Sequence, residues 1–578
     1  MLKILLPASV MILLLLHAFT PSAPPKATLI LYNGVFFTAD SSQQLYSAIA
    51  IAQDRILALG SDTEIQKLAT SGTEQIDLNG AFVMPGLIEG HGHFSSLGRS
   101  LKNINLLHTQ SWAEVVAQVA EKAKNTPPQT WIEGRGWHQE KWTESPGLTV
   151  QGYPFHDALS AVSTEHPVIL YHASGHALIA NEKALALAGI SSETPDPLGG
   201  HIVRDATGRL TGVMEENAMN LIEQPYTAWK NKRPETEKIA AFEKTVELAT
   251  QHCLQQGITS FQDAGSYFWE LEQYKRLAEN GRLGVRLWAM IMQPRSNDFD
   301  KLRNFPQIGI GHGFFTARAV KAYFDGALGS YGAWFLAPYA DKTDTYGQNT
   351  TPVDTLRALA NQCRQHQLQF CVHAIGDRAN REALNVFDAF LPQTPNGKAP
   401  YGATRGGLRW RIEHAQHIDV QDISRFKELG VIASMQAIHC TSDAPFVVKR
   451  LGYERARTGA YVWRSLLDAG ARLANGTDTP VEELDPFACL YASLTRKSSE
   501  TGTSFFPEQV MQREEALKSY TAWNAFAAFE EQDKGVLAPG KLADMVVLSH
   551  NLLTCPPSEI RSTKVLKTII AGKVVYMQ

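Results

Sequence analysis

Two histidines one residue apart close an apolar run, Met84-Pro-Gly-Leu-Ile-Glu-Gly-His-Gly-His93. On an extended strand, side chains two apart leave the same face. His91 and His93 can therefore hold one divalent cation from a single strand end, with Gly90 and Gly92 leaving room around them. A bare His-x-His arises by chance; one that ends an apolar run after Pro-Gly is more specific. His373 closes Phe370-Cys-Val-His and is followed by Ala-Ile-Gly-Asp377. His414 closes Arg411-Ile-Glu-His, and Asp478 follows Leu473-Ala-Asn-Gly-Thr. Taken singly, a strand-end histidine is more often a packing or capping residue. As a set they describe a centre in which a cation acidifies bound water and polarises a carbonyl. Asp478 is the candidate catalytic residue, which would move the proton. Imidazole and carboxylate together suit zinc best and leave manganese and iron open.

Such a set needs a frame that brings distant strand ends together. Apolar β-like runs alternate with helical stretches through the middle of the chain, the pattern of parallel β/α units. Eight runs stand out, at residues 82–91, 258–263, 285–292, 320–324, 370–373, 408–414, 431–435 and 472–476. The expected fold class is α/β, a (β/α)8 TIM barrel whose candidate ligands all sit at C-terminal strand ends, where barrel active sites are built. The interval between the first and second runs is too long for a connection and reads as an insertion at about residues 95–245. Short β-prone runs at both ends, broken by Asn-Gly, Asp and Gly, read as hairpins. Residues 25–86 and 535–578 are expected to form one composite β-sandwich, with the barrel spanning 87–534.

The chain has 578 residues, 44% of them hydrophobic, and a formal charge of −4. That is a globular composition with room for more than one unit. It has no basic field for nucleic acid. Residues 1–24 read as a cleavable signal peptide: Lys3, a short apolar core, then small residues near Ser22-Ala23. The expected location is periplasmic or secreted, with a retained N-terminal membrane anchor as the alternative and no other membrane insertion. The six cysteines are scattered without a Cys-x-x-Cys pair and are expected as buried thiols, with one disulfide left open.

The order His-x-His, Lys, His, His, Asp along strands one, four, five, six and eight resembles the amidohydrolase superfamily. Finer motifs resemble its family 3 branch, which includes N-substituted formamide deformylases. They are Trp131-Ile-Glu-Gly-Arg-Gly-Trp137, Gly175-His176, Gly199-Gly200, Thr211-Gly-Val213 with Glu216-Asn-Ala218, Val320-Lys-Ala-Tyr-Phe-Asp-Gly326, Val372-His-Ala-Ile-Gly-Asp-Arg-Ala379, Arg411-Ile-Glu-His-Ala-Gln416, Asp478-Thr-Pro-Val481 and Gly535-Val-Leu-Ala-Pro-Gly-Lys-Leu-Ala-Asp544. The resemblance implies two divalent metals, zinc by preference, bridged by a carbamylated Lys321. His91 and His93 with Asp478 would hold the more buried ion, and His373 and His414 the other. An ordinary Lys321 paired with a neighbour such as Asp325 is the plainer alternative. Two departures stand out: Glu89 replaces the usual Asp two residues before the pair, and Gln436-Ala-Ile-His439 replaces Gln-Pro-x-His.

The implied activity is hydrolysis of a non-peptide carbon–nitrogen bond in a small amide, N-acyl or N-formyl compound. The same centre would also open a lactone or another ester. A non-catalytic binding barrel is disfavoured because all six candidate ligand positions are kept. His176, His439, Trp137 and Glu216 are the candidate substrate-binding residues, with Arg135 a weaker one. The expected partner is a small-molecule substrate, and a homodimer is left open.

Overall fold

The apolar run before His91 is two strands in two sheets, not the single strand expected over residues 82–91. Phe82–Pro85 joins a sheet at the end of the molecule, and Leu87–Gly92 (β1) opens the central barrel. The break falls at Gly86, whose N–H is given to Asp544 O at 3.0 Å. A Cβ on Gly86 would stand 2.2 Å from Thr259 Oγ1, so only glycine lets the chain cross here. The computed structural model describes residues 26–41, 44–391, 407–498 and 501–578. The expected signal segment lies outside the described residues, among which no helix is long and apolar enough to cross a membrane.

From β1 the barrel continues through Ile258–Ser266 (β2), Arg286–Met292 (β3), Phe315–Tyr323 (β4), Gln369–Ala374 (β5), Arg411–His414 (β6), Ile432–Met435 (β7) and Arg472–Asn475 (β8). These eight strands pair in sequence order, all parallel. Buried on both faces, they read as nearly continuous apolar runs rather than alternating ones. Helices such as Val353–Gln365 and Asp377–Phe390 pack outside. The architecture is the (β/α)8 barrel that the alternation implied. β4 begins five residues before the expected run, because Phe315, Ala317 and Ala319 are also core residues.

Side chains complete the seam between β8 and β1. Asn524 Nδ2 donates to Ile88 O at 2.6 Å and to Asn475 O at 2.8 Å, and its Oδ1 accepts from Asn475 N–H at 3.1 Å. Asp478 N–H then donates to His91 O at 2.8 Å, and His93 N–H to Thr479 O at 2.7 Å. The loop after β8 is thereby fastened beside the His-x-His pair.

A six-stranded sheet runs Lys573–Met577, Val565–Ile570, Met545–Leu548, Phe82–Pro85, Val35–Phe37, Leu45–Tyr46, mixing strands from both chain ends. A four-stranded sheet that includes Leu29–Tyr32 and Ala48–Ala52 shares a core with it through Leu31, Ile49, Val83, Val547 and Ile569. Arg286 at the start of β3 is tied to Asp544 by two contacts, Nε–Oδ2 at 2.6 Å and Nη2–Oδ1 at 3.1 Å, fixing the barrel to this unit. Between β1 and β2 the chain builds a separate six-stranded sheet with its own apolar cores on both faces. All six cysteines are buried free thiols.

Candidate metal centre

At the end of β1, His91 is fully buried. Its Nδ1 lies 2.5 Å from Glu413 Oε2 on β6. A carboxylate accepts only, so Nδ1 carries the proton and the Nε2 lone pair points away, towards Asp478 Oδ1 at 3.5 Å. His93 caps the following helix and brings its Nε2 to 3.2 Å from the same oxygen. His91, His93 and Asp478 thus offer three ligand atoms, each within 4.8 Å of the others.

His414 is set in the same way. Gln436 gives its amide N–H to Ser434 O at 3.2 Å, which turns its Oε1 to accept from His414 Nδ1–H at 2.7 Å. The Nε2 of His414 is left as an acceptor for a cation. His373 packs edge-on against His414, ring centroids 4.4 Å apart. Its Nε2 lies 3.5 Å from Asp325 Oδ1. Both of its nitrogens are buried without a hydrogen-bond partner. Burial, above all, drives the pKa values of His373 and His414 well below the ordinary imidazole value, keeping both neutral as ligands must be. Burial opposes ionisation of Asp478, but the neighbouring His91 and His93 rings prevail and hold its carboxyl well below the usual range.

His439 belongs geometrically to a second group with His414 and Asp478. Its hydrogen bonding differs. Gln416 Nε2 stands 3.0 Å from His439 Nδ1, so that nitrogen accepts and Nε2 carries the proton. The Nε2 is buried, unpartnered, and 3.8 Å from Asp478 Oδ2. A protonated Nε2 suits donation to a substrate oxygen better than ligation.

Lys321 on β4 is completely buried, and among the described residues its Nζ has only Ala264 O, at 3.5 Å, as a hydrogen-bond partner. It forms no pair with Asp325, whose oxygens instead accept from Trp334, Ile375 and Gly376 N–H at 2.9, 2.9 and 2.8 Å. Burial lowers the Lys321 pKa, although Glu413 and Asp478 oppose the shift. Glu89 Oε1 accepts from Thr477 N–H at 2.5 Å. Its carboxyl, buried between β1 and β8, is pushed up to about 8 by that burial.

The insertion places further groups around this centre. His176 Nδ1 meets both oxygens of Glu216 at 3.1 Å. This pair is half-exposed. Trp137 is a correction. It is fully buried in the insertion's own core and spends its indole N–H on Leu170 O at 2.9 Å, so it presents no face to a ligand.

Residues 74–576 match the family model described as amidohydrolase family. The chain belongs to the amidohydrolase family. It is 26% identical to the N-substituted formamide deformylase of Arthrobacter pascens, over 95% of this chain and 98% of that one. It is 31% identical to the Arabidopsis thaliana protein LONG AFTER FAR-RED 3, over 97% and 94% of the two chains. A solved metal-dependent hydrolase from Pyrococcus horikoshii superposes with a TM-score of 0.73 at 26% identity, over 92% of this chain and 99% of that one. The protein is therefore a metal-dependent hydrolase of the amidohydrolase family, with its candidate ligands at the C-terminal mouth of the barrel.

The sequence left Glu413, Arg411 and Gln436 without individual roles. Arg411 lies between Glu413, Gln262, Gly90 and Ser434, its Nη2 2.8 Å from Gly90 O and its Nε 2.7 Å from Glu413 Oε1. Charged residues in an otherwise buried strand were the available signal.

Proposed function

We propose that this enzyme hydrolyses a carbon–nitrogen bond other than a peptide bond in a small amide, N-acyl or N-formyl compound. The carrying observation is the arrangement around Asp478. Four buried ligand atoms there lack any hydrogen-bond partner: His91 Nε2, both His373 nitrogens and Asp478 Oδ1. Orphaned buried polar atoms are costly, and a set of neutral imidazoles around a carboxylate fits a divalent cation. His91, His93 and Asp478 would hold one ion and His373 and His414 the other, with Lys321, carbamylated, between them. Its desolvated amine, without an ion pair among the described residues, suits carbamylation. Zinc, as two ions, fits the donor set best. When bound, the metals supply an acidified water and polarise the scissile carbonyl.

The chain's own residues do the rest. Asp478 takes the proton from the attacking water and passes it to the departing amine. His439 Nε2–H, fixed in that tautomer by Gln416, donates to the carbonyl oxygen as negative charge develops. Glu413 and Gln436 keep the Nε2 lone pairs of His91 and His414 directed at the centre. The deformylase relative's name supports the choice of an N-formyl substrate for the first assays.

The test is Asp478→Asn, assayed on amides, N-formyl compounds and lactones. Turnover is expected to be lost while some metal is retained. Full activity in the variant overturns the proton-transfer role, and activity confined to lactones overturns the choice of bond.

A further inference from the structure

We propose that Asp443, one helical turn beyond His439, is a recognition residue at the barrel mouth, and that the substrate carries a cationic nitrogen, an ammonium or guanidinium, about that distance from the bond to be cleaved. The proposal rests on the reading above for the bond itself and adds the class of molecule.

His439 and Asp443 stand four residues apart on the helix Ala437–Leu451, which begins just after β7. Residues at that spacing share one helix face, with Cβ atoms about 5–6 Å apart. His439 already faces the centre, its Nε2 3.8 Å from Asp478 Oδ2. The same face therefore carries the Asp443 carboxylate roughly one turn, ~5.4 Å, from the donor assigned to the scissile carbonyl. A chain of hydrogen bonds joins the two. Tyr461 Oη donates to Asp443 Oδ2 at 2.5 Å, Tyr461 N–H to Gln416 O at 2.6 Å, and Gln416 Nε2 to His439 Nδ1 at 3.0 Å. Tyr461 is itself buried, so the carboxylate rests on a fixed support and keeps its place relative to His439.

That support uses less than Asp443 offers. Tyr461 needs one acceptor, which an amide oxygen would supply without a charge. Among the described residues Asp443 Oδ1 has no hydrogen-bond partner and the carboxylate forms no ion pair. The residue is half-buried, and its Oδ1 still meets solvent. Burial pushes the carboxyl up to about 6, against the pull of His439 and of the Tyr461 hydrogen bond. Lys141 of the insertion acts on it at longer range and makes no ion pair with it. A largely desolvated carboxylate without a cation is an unfavourable arrangement that a bound cation relieves. An ammonium or guanidinium on the substrate would donate to Oδ1 in a charge-assisted hydrogen bond while the scissile carbonyl meets His439.

The experiment compares N-formylputrescine with N-pentylformamide, which has a methyl group where the first has an ammonium. Binding to the zinc-loaded protein is read by calorimetry and turnover by formate release. The cationic probe is expected to bind at least about tenfold more tightly than the neutral one. Asp443→Asn keeps an acceptor for Tyr461, removes the charge and is expected to bring the two probes level. Asp443→Glu, which returns the charge, restores part of the preference. Equal binding of the two probes by the wild-type protein, no binding of the cationic one, or a preference that survives in Asp443→Asn overturns the proposal. If Asp443→Asn fails to fold, the wild-type protein decides. The cationic probe should shield Asp443 from a water-soluble carbodiimide, read by mass spectrometry, and equal labelling with either probe overturns the proposal. Selective binding of the cationic probe with turnover of neither counts against the carbon–nitrogen reading and leaves the recognition role standing. Turnover of both without preference does the reverse.

Discussion

Glu413 Oε2 and His91 Nδ1 stand 2.5 Å apart across the barrel, joining β6 to β1 inside a core that water does not reach. Burial alone would raise the Glu413 pKa, but Arg411 and His91 hold its carboxyl well below the usual range. The bond fixes which nitrogen of His91 is free. Glu413→Gln can present an amide N–H where an acceptor is needed, and Glu413→Ala removes the partner outright. Each is expected to weaken metal affinity by about 10–100-fold. Competition against a chelator measures it, and unchanged affinity in both variants removes Glu413 from the centre.

Asn524 predicts where the barrel opens first. Its side chain serves Ile88 O, Asn475 O and Asn475 N–H, the groups that β1 and β8 leave unpaired at the seam. Asn524→Ala strands buried donors and acceptors and is expected to cost about 3 kcal/mol. Urea unfolding reads the loss, and hydrogen exchange should rise first in β1 and β8. A loss below about 0.5 kcal/mol, the level of an ordinary surface change, would mean that the seam is closed by other contacts.

His417 predicts part of the acid sensitivity. Both ring nitrogens are buried without a partner, and the ring packs on Phe335 and Tyr461. Burial, helped by Arg455, lowers its pKa from 6.5 to about 3. Between those values the unfolded chain binds the proton and the fold does not. Stability is therefore lost as pH falls from 6.5 towards 3, by up to about 1.4 kcal/mol per pH unit from this group. His417→Phe keeps the packing and removes the titration. Its advantage over wild type should grow as the pH of urea unfolding drops from 7.5 to 5, and a constant difference would exclude the effect.

The sequence carried the barrel because buried parallel strands read as apolar runs, and because each candidate ligand ended one. It failed at residues 82–91, where an unbroken apolar run hides a crossing between sheets that depends on the contact of Gly86 with Thr259. Trp137 stands in the sequence as a candidate substrate-binding residue, but a bulge between Arg135 and Trp137 turns it into the insertion's core. The tautomers were beyond reach. Whether His439 ligates or donates depends on Gln416, and the orientation of His414 depends on Gln436. Both are amides whose partners only the fold brings within hydrogen-bond range.

Metal content by elemental analysis, on wild-type protein purified without chelator and on Lys321→Ala, tests the central claim most directly. The arrangement of ligands around Asp478 predicts about two zinc-like ions per wild-type chain, falling to about one or fewer in the variant as the bridge is lost. Active, folded protein without tightly bound metal, or a variant that keeps the full complement, would contradict it.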